Sequence, residues 1–333
     1  MKNRISFLKP ELIFLSVIFF FTNGCNKEND DNHLNLPTVA TLEIKDITDT
    51  TATSGGEITD NGGHTVIARG VCWSTSENPT IDDNKTEDGT GTGDFASSIT
   101  ELEPNTKYYV RAYAINNAGT AYGNTLSFTT YETGFGSFTD TRDDNVYKTV
   151  TIGNQVWMAE NLKYLPKVVP SATGSETIPY YYVFNYEYIY VAEAKATGAY
   201  DTYGVLYNWP AALTACPAGW RLPSHNDWFE LTDYLDDNTG GKLKATGTIE
   251  AVTGLWRAPN TGATNETGFA GIPGGFRNNP DGFSNITTSA NWWSATETSW
   301  GGAWYRIVYY NGSNLVSYGE SKNHGMSVRC LKD

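Results

Sequence analysis

The feature that most limits the fold of this chain is a regular succession of short β-branched runs between about Pro37 and Thr130. Clusters of glycine, asparagine and aspartate separate these runs, as at residues 60–63 and 88–91. Short strands spaced by turn residues are typical of an antiparallel β-sandwich, which we predict for residues 37–131. The expected strands are Val39 to Ile44, Thr51 to Ile58, Thr65 to Ser74, Phe95 to Ile99, Lys107 to Ile115 and Thr125 to Thr130.

A Leu-x-Pro-x-Thr-x-Tyr-x-Val motif spans residues 102–110, before and inside the fifth expected strand. It resembles the E–F corner of fibronectin type III domains. The resemblance implies that the Tyr108 ring enters the core while its hydroxyl bonds to the backbone a few residues upstream. The core tryptophan of that family's second strand is absent, and we expect Trp73 on the third strand to replace it.

A different pattern starts after Glu132. Val146 to Ile152 alternates like a strand, Gly153-Asn154 suits a two-residue turn, and Gln155 to Met158 returns, which together predict a β-hairpin. A short helix is expected from about Asn208 to Thr214, with a proline in its opening turn.

A longer helix is predicted to start after Ser224, where Asp227 three positions on completes a capping box. Its apolar residues recur on one face, and Gly240-Gly241 is the predicted end. Short strands at Ala303 to Tyr310 and Ser327 to Leu331 follow a stretch rich in glycine and asparagine. This combination predicts an α+β domain after the sandwich.

Six ordered blocks in residues 138–333 resemble the Fibrobacter succinogenes major paralogous domain, a family typical of surface lipoproteins. The block Gly219-Trp220-Arg221-Leu222-Pro223, which leads into the longer helix, also resembles the C-type lectin and formylglycine-generating enzyme folds. This second resemblance implies a C-type-lectin-like domain in which a long disulfide ties the first half to the last strand. The six blocks are residues 150–162, 203–209, 216–224, 268–275, 292–295 and 327–330.

The chain has four cysteines, Cys25, Cys72, Cys216 and Cys330. If Cys25 carries lipid and Cys72, in an apolar strand-like run, is a buried thiol, Cys216 and Cys330 pair by elimination in an oxidising compartment. The lectin resemblance implies the same disulfide. A pairing of Cys72 with one of the two is the competing possibility.

The first two dozen residues indicate export. Three basic residues precede an apolar run from Leu12 to Phe21, the pattern of a secretion signal over residues 1–24. The run is about half of the roughly 20 apolar residues that a transmembrane helix needs. Thr22-Asn23-Gly24-Cys25 resembles a bacterial lipobox, which implies that Cys25 is acylated and becomes the first mature residue.

An acidic stretch, Asn26 to Asp31, follows Cys25 and resembles the surface-export signal of Bacteroidetes lipoproteins. This tether, placed at residues 25–36, is predicted to be disordered because it has little apolar surface to bury. We therefore expect a lipid-anchored protein of the outer membrane, exposed at the cell surface. Secretion without a lipid is the alternative, since the small residues before Cys25 also suit an ordinary signal peptidase.

The composition excludes some partners. Lys and Arg total 23 against 37 Asp and Glu, a net charge of −14 that repels nucleic acid. The four histidines show no metal-ligand spacing with one another or with the cysteines, so neither a metal nor a cofactor is expected. We expect a monomer whose partners are the membrane, through the lipid, and an extracellular ligand.

Aromatic residues make up 14% of the chain, which suits a strand-rich core and equally a surface that stacks sugars. The candidate ligand-binding residues are Trp300, Trp292, Tyr186 and Tyr188, whereas Trp293 is expected in the core. We predict a binding or adhesion module for a glycan or a protein, with the sandwich serving as a spacer.

An enzyme of the glycan-processing or oxidase type is the alternative function. Formylglycine-generating enzymes oxidise through a nearby cysteine pair, but Cys216 and Cys330 have a structural explanation. Glu230, Glu266 and Glu297 could supply a glycosidase pair, yet nothing in the sequence links any two of them. The sequence has no nucleophile elbow, zinc helix or phosphate loop, so we predict that the chain is not an enzyme.

Overall fold

The computed structural model describes residues 35–278 and 282–333, so the signal sequence, Cys25 and most of the tether lie outside the described residues. The first part of the described chain is built from strands alone. These are β1 Thr38–Thr41, β2 Ala52–Asp60, β3 Ala68–Ser74, β4 Asn84–Lys85, β5 Gly93–Ile99, β6 Lys107–Asn116, β7 Gly119–Tyr122 and β8 Leu126–Thr129.

These strands form two sheets around one apolar core. The first sheet has the order β1-β2-β5, and the second has the order β4-β3-β6-β7 with β8 also paired to β6. Ile58 and Phe95 of the first sheet pack with Val71 and Val110 of the second, and Trp73 belongs to the same cluster as expected. The predicted β-sandwich is therefore confirmed, with β4 and β7 as strands that the sequence pattern does not single out.

The tyrosine corner of the sandwich is present. The backbone N–H of Glu103 donates to the Tyr108 hydroxyl at 3.0 Å, and the Tyr108 ring stacks on Phe128 with centroids 5.9 Å apart. The buried ring and the bonded hydroxyl fix the turn into β6, as the corner motif predicts.

Strands and five short helices follow one another in the rest of the described residues. The first members are β9 Phe135–Asp140, β10 Asn145–Ile152, β11 Gln155–Met158, β12 Tyr181–Tyr182, α1 Val191–Lys195, α2 Gly198–Tyr203, β13 Leu206–Tyr207 and α3 Trp209–Ala212. The remaining members are β14 Trp220–Arg221, α4 His225–Leu235, α5 Thr239–Leu243, β15 Gly274–Asn278, β16 Gly282–Ile286, β17 Ser289–Glu297, β18 Ala303–Tyr309, β19 Val316–Glu320 and β20 Leu331–Lys332.

Two five-stranded sheets organise this second part. One has the order β14-β20-β11-β10-β9, and the other has the order β16-β15-β17-β18-β19. The predicted hairpin turn at Gly153-Asn154 joins β10 to β11, where Ile152 pairs with Gln155. In the second sheet β17 is the central strand, and apolar clusters cover both of its faces.

The two predicted helices begin where the sequence indicates. Asn208 caps α3 by accepting a hydrogen bond from Ala211 N, and Ser224 caps α4 in a complete capping box with Asp227. The predicted end of α4 at Gly240-Gly241 is wrong. The helix stops at Leu235 because the next residue adopts a positive φ of 58°, and the two glycines lie in α5 instead.

The junction between the two parts, predicted as a break near Glu132 to Ser137, is hydrogen-bonded to the sandwich. Ser137 N donates to Ile47 O at 2.7 Å, and Thr139 N donates to Asp46 Oδ1 at 2.8 Å. Thr48 and Gly136 form an antiparallel bridge next to the bond between Ser137 and Ile47. We call the contacts of residues 46–49 with residues 134–139 the seam.

The disulfide joins Cys216, just after α3, to Cys330, just before β20, with Cα atoms 5.8 Å apart. Cys72 is a free, buried thiol, and burial raises its pKa to about 11. The bond closes the loop of 114 positions that ties the first half of this domain to its last strand.

Candidate functional site

Trp292, predicted at a binding surface, is instead fully buried. Its indole Nε1 donates to Asn161 Oδ1 at 3.1 Å, and its ring stacks on Trp228 of α4. The next residue, Trp293, is equally buried on the other side of β17, as expected, and donates to Tyr207 O at 2.7 Å. Both rings are covered because β17 is central and has a packed layer on each face.

The two tyrosine candidates have different environments. Tyr186, which the sequence analysis places at a binding surface, is instead almost wholly buried. Its hydroxyl donates to Tyr190 O at 3.0 Å. Tyr188 is exposed and lies edge-on to the Tyr186 ring at 5.7 Å. Tyr188 belongs to the loop between β12 and α1, whereas Trp300 belongs to the turn between β17 and β18.

Like Tyr188, which is 64% exposed, Trp300 is presented openly, with 62% of the residue exposed. One side of its ring lies against two glycines. A Cβ atom added to Gly302 would lie 2.0 Å from the indole Cη2, and one added to Gly319 would lie 3.1 Å from Cζ2. Any side chain at Gly302 would therefore displace the ring. We call Trp300 with Gly302 and Gly319 the tryptophan platform.

The turn that carries Trp300 is internally bonded. Thr298 N donates to Gly302 O at 2.9 Å, and Gly301 N donates to Thr298 O at 3.2 Å. Gly301 has a φ of 91°, which side chains with a Cβ rarely adopt. These bonds fix the backbone of the turn, and the ring itself rests against Gly302 and Gly319.

A row of rings continues the surface along β18. Trp304 lies directly opposite Gly319 in the register of β18 and β19, so its side chain points to the same face as the platform. His225, at the start of α4, stacks on Trp304 with centroids 4.5 Å apart and meets Phe229 edge-on at 4.6 Å. Sequence patterns do not identify Trp304 and His225, because strand pairing and helix docking bring them together.

A buried cation lies under this row. Arg306 is 3% exposed, and its guanidinium carbon lies 4.8 Å from the centre of the Phe229 ring. Its Nη2 donates to His225 O at 3.2 Å. Burial lowers the pKa of Arg306 to about 10, and burial together with the Arg306 charge lowers the pKa of His225.

Carboxylates dominate the charge around the site. Glu297 binds Lys322 at 2.8 Å, which neutralises that cation beside the Trp300 turn. Phe229 lies at the rim of an open depression on α4 that Glu230, Asp233 and the two aspartates after the helix also line. The excess of negative charge is therefore at the α4 depression, whereas Glu297 and Lys322 neutralise each other beside Trp300.

Features of an enzyme or a metal site are sparse in the described residues. The three carboxylates considered for a glycosidase pair have separate partners, since Glu230 accepts from Asn226, Glu266 pairs with Lys242 and Glu297 pairs with Lys322. Residues 35–278 and 282–333 contain no group of three His, Cys, Asp or Glu side chains placed to hold a metal. Within the same ranges, no helix is long and apolar enough to cross a bilayer.

Comparison with known proteins gives one family. The Fibrobacter succinogenes major domain matches residues 150–332. A search of curated proteins finds no match.

Among solved structures, the sensor domain of the anti-sigma factor RsgI4 from Pseudobacteroides cellulosolvens is 17% identical and aligns 30% of this chain with 98% of its own, at a TM-score of 0.24. The FN1–FN3 domains of chicken CNTN1 are 16% identical and align 29% of this chain with 32% of their own, at a TM-score of 0.24. The third fibronectin III domain of human KIAA0343 is 18% identical and aligns 33% of this chain with 94% of its own, at a TM-score of 0.23. Scores this low support no conclusion about function.

Proposed function

The chain belongs to the Fibrobacter succinogenes major domain family, and from this premise we propose that it is a cell-surface lipoprotein that binds an extracellular glycan or protein and has no enzymatic activity. The acylated residue is Cys25, the anchor lies in the outer membrane, and the sandwich is the spacer. The long disulfide and the capped helix α4 support a C-type-lectin-like or formylglycine-generating-enzyme-like arrangement of the second domain.

The tryptophan platform is the observation that carries the binding proposal. An exposed tryptophan leaves a large, rigid apolar area in water that a ligand can cover. Here the Trp300 ring rests against Gly302 and Gly319 and offers its other side to solvent. Because the ring already has this support, little side-chain entropy is lost when a ligand covers it. Aromatic faces bind apolar sugar faces and partner side chains alike.

The enzyme alternative has less support. An oxidase of the formylglycine-generating type needs reactive thiols, but Cys216 and Cys330 form a disulfide in which Cys330 is fully buried. The only free cysteine in the described chain, Cys72, lies in the core of the sandwich with a raised pKa. Glu230, Glu266 and Glu297, the carboxylates considered for a glycosidase pair, are engaged with separate cationic or amide partners.

The test is binding of the purified mature protein to glycan and matrix-protein arrays. We expect Trp300→Ala to weaken the strongest interaction at least about tenfold, or ~1.4 kcal/mol, because the stacking surface is lost. Tyr234→Ala is the matched control, since Tyr234 on α4 is 64% exposed, close to the value for Trp300. Equal binding by the wild type and Trp300→Ala would contradict the proposal.

A further inference from the structure

Strand β19 is the outermost strand of the sheet β16-β15-β17-β18-β19. It pairs with β18 on one side through residues 316–320, and no other strand of the described residues pairs with it. Half of the N–H and C=O groups of such a strand point away from its neighbour and remain available for hydrogen bonds. β19 therefore has a free edge.

The hydrogen bonds of β17 set the direction of the backbone groups in the strands beside it. Trp293 N donates to Ser327 O, on the side of β17 that faces away from β18. Because the backbone groups of successive strand residues point to opposite sides, those of Trp292 point toward β18, where Arg306 is the opposite residue. Arg306 therefore bonds to β17, and the backbone groups of the preceding residue, Tyr305, point toward β19.

Two residues of β19 carry the outward groups. Tyr318 is opposite Tyr305 and bonds to β18, so Ser317 and Gly319 direct their N–H and C=O groups to the free edge. Neither of these two backbones bonds to another loop or strand of residues 35–278 and 282–333. Both residues are partly exposed. The edge thus presents two donor–acceptor pairs about 7 Å apart, at the rise of a β-strand.

The sequence of β19 lacks the usual protection of a free edge. Edge strands are commonly guarded by proline, by a β-bulge or by charged side chains. The segment Val-Ser-Tyr-Gly-Glu has no proline, its register with β18 is regular, and its single charge is at its last residue, Glu320. The edge of β9 is different, because the seam covers it.

The tryptophan platform lies beside this edge. A Cβ atom added to Gly319 would lie 3.1 Å from Cζ2 of Trp300, so the ring covers the face of β19 to which position 319 projects. A strand added at the free edge would run about 4.8 Å from β19, and its residue opposite Gly319 would project from the same face. A side chain at that position reaches the Trp300 ring. The ring and the edge therefore form one surface.

We propose that the partner of the tryptophan platform is an extended polypeptide segment of another protein, which pairs with β19 as an added strand and packs an apolar side chain on Trp300. This inference rests on the proposed binding function and assigns the ligand to the protein class. Backbone pairing with Ser317 and Gly319 supplies affinity, and alternate side chains of the segment supply specificity. Tyr318, which is 47% exposed, offers a ring to the side chains on the other face.

Charge limits the composition of the segment. Near the edge the charges balance, since Glu297 pairs with Lys322 and the carboxylate of Glu320 is matched in number by the buried Arg306. The whole chain carries a net charge of −14. Long-range attraction therefore favours a neutral or basic segment. The same net charge on a second copy of this chain opposes pairing between two β19 edges.

Hydrogen exchange at single amides tests the pairing. The probes are peptides selected with the purified mature protein from a displayed library of random twelve-residue sequences. The amides of Ser317 and Gly319 should exchange at least about tenfold more slowly in the complex than in the free protein, because they gain acceptors. The amide of Tyr318 is bonded to β18 in both states, so its exchange should change much less and it is the internal control.

Methylation of backbone nitrogens in a selected peptide forms the second arm. Methyl groups on the nitrogens that face β19 should weaken binding at least about tenfold, whereas methyl groups on the alternate nitrogens should change it much less. Trp300→Ala should also weaken binding at least about tenfold, because the apolar contact is lost. Tyr234→Ala is again the matched control and should bind like the wild type.

Several results would overturn the inference. It fails if no peptide is selected, if the selected peptides leave exchange at Ser317 and Gly319 unchanged, or if both methylated sets bind alike. It also fails if sedimentation shows that β19 is occupied by a second copy of the chain. The proposed function survives these results as long as Trp300→Ala still weakens binding to a glycan or protein on the arrays. If Trp300→Ala changes no binding, both fail.

Discussion

The Nε of Arg329 donates a hydrogen bond at 2.8 Å to the side-chain oxygen of Asn161, 168 positions earlier in the chain. The same oxygen accepts from Trp292 Nε1, and the Asn161 amide nitrogen donates to Tyr203 O and to Ser327 Oγ. These partners lie in three of the six sequence blocks by which the chain resembles its family, and Asn161 lies in a fourth. One buried asparagine therefore holds together segments that are far apart in the sequence.

Asn161→Leu should lower the free energy of unfolding by about 3 kcal/mol or more, because two buried donors, Trp292 Nε1 and Arg329 Nε, lose their acceptor. Asn161→Asp should cost less, since a carboxylate keeps the acceptor and faces the Arg329 charge. Chemical denaturation of both variants measures the difference. Equal stability of the two would show that the acceptor at this position is unimportant.

Lys244 should make stability depend on pH. Burial lowers the pKa of its ammonium from 10.5 to about 8 in the folded protein. Between these values the unfolded chain holds a proton that the folded chain has released, so the free energy of unfolding rises with pH from about 8 to 10.5. Lys244→Met should remove this rise, which amounts to about 3 kcal/mol. If the free energy of unfolding of the wild type and of the variant changed equally with pH over this range, Lys244 would not be the cause of the rise.

The disulfide should contribute strongly to the stability of a domain with many loops. Closing a loop of 114 positions is worth about 4–5 kcal/mol in the chain-entropy description. The double variant Cys216→Ser/Cys330→Ser should unfold at a correspondingly lower denaturant concentration. Peptide mapping without reduction should recover the two cysteines in one linked fragment. Free thiols at both positions would refute the pairing.

Acylation of Cys25 stays a prediction from the sequence. Cys25→Ala should leave uncleaved precursor or release the protein from the membrane fraction, and metabolic labelling with palmitate should disappear. The matched control is Cys72→Ala, since Cys72 is buried in the sandwich. Labelling that persists in Cys25→Ala would rule out this lipid site.

The seam should protect the junction from proteases. Asp46→Ala removes the carboxylate that accepts from Thr139 N. Cleavage between residues 132 and 137 should then be faster than in the wild type. Both products should remain folded, because each part has its own apolar core. Mass spectrometry of timed digests measures the rate, and an unchanged rate would mean that the seam does not control access.

Local motifs predict the parts of the fold that local geometry decides. The capping box at Ser224, the turn at Gly153 and the corner at Tyr108 each depend on residues a few positions apart, and each is found. The end of α4 is different. Gly240 lies inside α5, and a Cβ there would come within 2.7 Å of Asn314, so the tertiary fold and not a helix end requires this glycine.

The aromatic candidates show the same limit. Trp300 lies in a turn between glycines, so its exposure follows from its neighbours in the sequence. Trp292 has no such local sign. It is buried against Trp228 of α4, while the cluster around Tyr207 buries Trp293 on the other side of β17. Strand alternation predicts one exposed and one buried tryptophan at positions 292 and 293, and it fails where a sheet is covered on both faces.

The position of β9 has one more consequence. It is the last strand in its five-stranded sheet, so its outer backbone groups would be free to pair with a strand from another molecule. Residues 46–49 of the sandwich occupy that edge through the bonds to Gly134, Ser137 and Thr139. The protein thereby blocks a route to strand-mediated aggregation between copies of itself.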